Sequence, residues 1–123
     1  MTRNFLAIGL AFAALPAAAQ PNPATPPPPS LNLQQQTALR CSVALALGAE
    51  RDRAGTADAR WPDLRVRGRE FFVRSLAQLM DETGATRETL LALVAPEAVA
   101  LREPGRLEAA MPACLLLLDA SGV

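Results

Sequence analysis

The sequence predicts an all-α fold, a small bundle of four to five helices held by one long-range disulfide. Three observations carry that expectation. From Leu64 to Met80, apolar and small residues recur at helical spacing, with Leu64, Gly68, Phe71, Phe72, Ser75, Leu76, Leu79 and Met80 on one side. Arg65, Arg67, Arg69, Glu70, Arg74 and Gln78 supply much of the rest. No segment alternates apolar and polar residues over the length of a strand, and β-branched residues are scattered. The only two cysteines, Cys41 and Cys114, lie in two strongly apolar stretches, LRCSVALALGAE and MPACLLLLD, far apart in the chain.

In order along the chain, Met1–Asn4 forms a short n-region with one charge, Arg3, and Phe5–Leu15 is an apolar run ended by Pro16. Ala17-Ala18-Ala19 supplies the small residues that a signal peptidase requires, so residues 1–19 are expected to be a signal peptide. The run is shorter than the roughly 20 residues that cross a bilayer, and no membrane span is expected after cleavage. Residues 20–30, QPNPATPPPPS, form a proline-rich lead-in. Six of its eleven residues are proline, so it is expected to be disordered, extended or polyproline-like, and to act as a spacer. Residues 31–123 are left as one helical domain.

The first helix should begin at Asn32, whose side chain can cap the free amides, with Gln35 completing a capping box. It should end at Gly55. Ala38, Cys41, Ala44, Leu45 and Gly48 share one face and Leu39, Val43 and Ala46 the opposite one, so this helix should be buried between others. GTADARW, Gly55–Trp61, reads as a loop. Pro62 suits the first turn of a second helix, which Gly84 should stop. Thr86 caps a third helix, Arg87–Ala95, with a kink or break at Pro96. Glu103-Pro104-Gly105 is a turn, Arg106–Met111 a helical turn or two, and Pro112 opens a last helix, Ala113–Asp119.

Composition narrows the chemistry. All twelve basic residues are arginine, and the chain has no Lys, His or Tyr. Twelve acids balance them, and cleavage after Ala19 leaves a net charge of −1 on 104 residues. A nucleic-acid binder draws its affinity from a surplus of positive charge, which is absent, so no nucleic-acid partner is expected. Without histidine, a Ser–His or Cys–His nucleophile is excluded, as is the commonest transition-metal ligand. Neither a phosphate-binding loop, a dinucleotide fingerprint nor a calcium-loop spacing is present. Asp81-Glu82 and the Glu50/Asp52 pair read as solvated helix ends. No catalytic residue, metal site or cofactor is therefore expected, and the protein reads as a non-enzyme. Two cysteines in an exported chain point to a Cys41–Cys114 disulfide. A loop of that length contributes about 4 kcal/mol on chain-entropy grounds.

Two surface features stand out. Arg60–Arg74 holds five arginines against two acids, a local charge of +3, whereas Leu79–Val123 has three arginines against seven acids, −4. A strip of Arg65, Arg67, Arg69 and Arg74 is thus a possible partner or anion surface, with a solvated, carboxylate-paired face as the bland alternative. Trp61, the only tryptophan, reads as a lid over the edge of the core or, more sharply, as a partner contact.

The segments RCSVALAL, WPDLRVRGREFFVRSLAQLMDETG and MPACLLLLDASG resemble a set of small uncharacterised exported two-cysteine helical proteins of proteobacteria. The resemblance covers most of Leu39–Gly122 and implies fold and export but no activity. In architecture the chain also looks like the small acid-stress chaperones of the periplasm. The expectation is a periplasmic or secreted, non-enzymatic protein-interaction or stress-related domain with a periplasmic protein as partner. The alternative is a small-molecule or lipid carrier with a pocket between the first two helices, lined by Phe71, Phe72, Leu76 and Met80.

Overall fold

Helix α1, Leu33–Ala54, is the axis on which everything else is laid. The computed structural model describes residues 26–123. The expected signal peptide, 1–19, and the first part of the lead-in, 20–25, lie outside the described residues. Residues 26–32 have no regular secondary structure. Four helices follow, with no strand among the described residues: α1, α2 (Arg67–Thr83), α3 (Arg87–Leu101) and α4 (Arg106–Ala120).

Both ends of α1 are set locally. Asn32 Oδ1 accepts from the Gln35 amide at 2.9 Å, and Gln35 Oε1 accepts from the Asn32 amide at 3.1 Å, so the capping box is complete. At the other end Gly55 takes φ +72°, a left-handed turn that glycine adopts without a Cβ penalty. Between them, Leu39, Cys41–Leu45 and Leu47–Ala49 are all buried. A helix buried over so much of its circumference must be covered on several sides. It is: α2, α3 and α4 each pack chiefly on α1 and touch one another much less. The small side chains of α1 make this possible, because three helices can approach one axis only where it is thin.

The closest approach is made by α2. Gly68 lies against the α1 backbone, where an added Cβ would stand 2.5 Å from the Leu45 carbonyl oxygen. The disulfide Cys41–Cys114 ties α4 to the same axis, with 5.0 Å between the Cα atoms. One core runs from Val43 to Ala49 of α1 through Leu64, Phe71, Leu101, Leu107, Met111 and Leu118. A smaller cluster of Leu39, Leu79 and Leu90 joins α1 to α2 and α3.

Three boundaries differ from the sequence expectation. The second helix begins at Arg67 rather than Pro62, and Leu64 belongs to the segment before it. Carboxylates take the amides that a helix start would have left free. Asp52 Oδ2 accepts from Leu64 N at 2.9 Å, and Asp63 Oδ1 accepts from Arg65 N at 3.0 Å. The third helix runs through Pro96 without a break, and Arg106–Ala120 is a single helix with Pro112 inside it. Both prolines face solvent, so water can reach the carbonyl each leaves without a donor. Burial of Leu107, Met111, Cys114 and Leu118 along one stripe holds α4 together across its proline.

Candidate functional site: an apolar groove at the Leu33 end of the bundle

The two ends of α1 are packed differently. At the Ala54 end the space beside Gly48 is filled, with Leu64 Cδ1 and Met111 Cε at 2.7 and 3.0 Å from where a Cβ would stand. Trp61 is partly buried over this core, and the Arg51 guanidinium lies 5.9 Å from its ring centroid. Arg51 also pairs with Glu108 of α4. Those contacts make Trp61 part of a lid on the core edge.

At the Leu33 end the three elements diverge and leave an open groove of about 710 Å³. Its floor is α1 (Leu33, Gln34, Thr37, Ala38), one wall is α2 (Phe71, Arg74, Ser75, Gln78), and the other is the end of α4 with the tail beyond it (Leu117, Ala120, Ser121, Val123). Short side chains make the space, since Ala38, Ser75, Ala120 and Ser121 reach little way from their helices. The lining is mostly apolar, Phe71 is buried at its base, and Leu33 stands 80% exposed on its rim. Among the described residues, the Gln34 and Ser75 side chains make no hydrogen bond. The volume lies within the range of about 300–1,000 Å³ usual for ligand sites.

The four residues expected to line one pocket are divided between two. Phe71 faces this groove. Phe72, Leu76 and Met80 line a second, smaller one of about 380 Å³ between α2 and α3, with Leu90, Leu91 and Arg87. Adjacent positions on a helix point about 100° apart, and here that turn carries Phe72 to the α3 side of α2, away from the groove that Phe71 lines. The residues that sequence reasoning missed, Leu33 and Ala38 of α1 and Leu117 of α4, come from two distant segments with no shared motif. Only the run of small residues near Ala38 gave a local sign.

The arginine strip is largely neutralised. Arg65 pairs with Asp63 and Arg74 with Glu70, while Arg67 reaches across to Asp119 of α4 at 3.1 Å. Among the described residues, only Arg69 of the four has no carboxylate partner. Arg60 is held by Asp58. Hydrogen bonds from the Arg60 side chain pull the Asp58 carboxyl down to about 2, and those from Arg65 hold Asp63 well below the usual carboxylate range. Glu108 is likewise lowered, chiefly by its hydrogen bond from Arg51, and Glu82 by those from Gln35 and Gln78. These are carboxylates kept charged by their partners, an arrangement suited to holding loops and helix ends rather than to moving protons.

No described helix is long and apolar enough to cross a membrane. No protein-family model, curated protein or solved structure matches the chain.

Proposed function

We propose that this chain is an exported, non-enzymatic protein-interaction domain that takes an apolar element of a partner into the groove at the Leu33 end. The observation that carries the reading is the contrast within one small bundle between a sealed core and an open apolar trough with Leu33 exposed at its rim. A helical domain gains nothing in stability from leaving Leu33 exposed on the rim of an apolar groove, and exposed apolar concavities mark binding surfaces. Export is supported by the leader-like residues 1–19 and by the disulfide, a bond that persists in oxidising compartments. The lack of His, Lys and Tyr supports a role without acid–base or nucleophilic chemistry.

A second reading, a carrier of a small apolar molecule, is favoured by the groove's volume alone. Native mass spectrometry of the protein purified from the periplasm separates the two. A bound protein, lost when the groove is filled by Ser75→Leu, supports the interaction domain. A co-purifying small molecule favours the carrier. A bare chain that binds neither under any condition contradicts both.

A further inference from the structure

Helix α2 has an outward face that no other helix of the bundle covers. Gly68, Phe71 and Leu79 pack toward α1, and on the opposite side Arg69, Val73, Ala77 and Asp81 are exposed. These four stand four residues apart and so form one continuous ridge on the helix surface. Val73 is 65% exposed on it. A parallel ridge of Phe72, Leu76 and Met80, all partly buried, runs beside the first and borders the cleft between α2 and α3. Val73 and Ala77 line that cleft too, with the exposed side chain of Leu91 on its far side.

The outer ridge is its own complement. It carries a cation at one end and an anion at the other, with two apolar residues between. Among the described residues neither Arg69 nor Asp81 has a partner of opposite charge, whereas the neighbouring Arg65, Arg67 and Arg74 are all paired. Two copies laid antiparallel about a two-fold axis set each Arg69 beside the partner's Asp81 and each Val73 beside the partner's Ala77. Ridges of residues four apart interdigitate when helices cross at about −50°, the commonest packing of two helices. In that geometry Val73 and Ala77 of one copy enter the space between the two ridges of the other and cover Phe72, Leu76 and Met80. A partner of single charge would leave one end of the ridge uncompensated, and a second copy compensates both. We propose that the outer face of α2 is a two-fold dimer interface between copies of this chain. None of its residues lines the groove at the Leu33 end, so the two surfaces can be occupied together.

Sedimentation equilibrium of the oxidised protein, from about 10 μM to about 1 mM, tests the idea across the range of a modest dimer affinity. A reversible monomer–dimer equilibrium is expected, weaker at high salt because exposed ion pairs are screened. Charge reversal then reads the register. Arg69→Glu and Asp81→Arg each set like charges opposite one another and should weaken dimerisation about tenfold. The two together should restore it to within about threefold of the parent. Both positions are exposed, so folding is not at risk, and circular dichroism of each variant should match the parent. Val73→Asp should leave a monomer, while Ser75→Leu, in the groove, should leave dimerisation unchanged. A chain that stays monomeric at about 1 mM overturns the proposal. So does a dimer that survives Val73→Asp, or one that the double reversal fails to restore. Loss of the dimer with Ser75→Leu would place the contact in the groove and overturn it equally.

Discussion

The Ala54 and Leu33 ends of α1 solve the same packing problem in opposite ways. Both must cover a thin, alanine-rich helix with three thicker neighbours. At the Ala54 end the chain adds material from outside the helices: Leu64 fills the space by Gly48, Asp52 pins Leu64, and Trp61 and Arg51 close the edge. At the Leu33 end the residues outside the helices, Ser121 and Val123, line the gap between α2 and α4 without closing it. A bundle sealed at one end and open at the other separates stability from binding, so substitutions at the two ends should fall into two classes.

The largest effect should come from the staple that both ends share. Replacing Cys41 and Cys114 together by alanine removes a cross-link between residues 73 apart, and should lower stability by about 4 kcal/mol. A urea titration checks this, and a loss under about 1 kcal/mol would mean that the helices hold α4 in place unaided. Next comes a matched pair of leucines. Leu64→Ala, fully buried at the sealed end, should cost about 3 kcal/mol. Leu33→Ala, 80% exposed at the open end, should change stability by less than about 0.5 kcal/mol. Equal losses at the two sites would erase the distinction between the ends.

Two glycines sharpen the point at finer scale. At Gly68 a methyl group would press on the Leu45 carbonyl, part of a helix backbone, and Gly68→Ala should destabilise by about 2 kcal/mol. At Gly48 the crowding atoms are the ends of Leu64 and Met111, which can shift, and alanine gains helix propensity. Gly48→Ala should stay within about 1 kcal/mol of the parent. Thermal melts of both variants decide the matter, and a reversed order would show that α2 is not held by its glycine contact.

The smallest expected effect is electrostatic and belongs to the sealed end. Asp58, Asp63 and Glu108 have folded pKa values below their unfolded ones, so the unfolded chain binds more protons. Their contribution is present above about pH 5 and is lost as pH falls through the range from about 4 toward 2. Asp63 is exposed and Asp58 partly so, and solvent screening of their arginine pairs should keep the change modest. Carboxyl carbon NMR should give Asp58 a midpoint near about 2, and an ordinary carboxylate midpoint would mean that Arg60 does not hold it in solution.

What the sequence made legible was local. The capping box at Asn32–Gln35 and the stop at Gly55 are written within a few residues of where they act, and the cysteine pair had no competing partner. What escaped depends on distant contacts. The start of α2 was displaced because Asp52, twelve residues upstream, takes the Leu64 amide. Pro96 read as a kink or break and Pro112 as a helix start because a proline removes one bond, but each helix is continuous through its proline, and in α4 tertiary burial of one face outweighs that loss. The groove was half visible: Phe71 was singled out, yet its neighbour Phe72 was assigned to the same cleft when the helix turns it into another. The arginines looked unbalanced because Asp119, which meets Arg67, lies 52 residues away.

The measurement that bears most directly on the division between the two ends is an amide NMR titration with an acetylated, amidated peptide of alternating leucine and serine. Shifts confined to Leu33–Ala38, Phe71–Gln78 and Leu117–Val123, with Trp61 and Leu64 unmoved, are the expected result. Shifts centred on Trp61 and the Arg65–Arg69 strip, with the groove silent, would place the interaction surface at the sealed end and contradict the assignment.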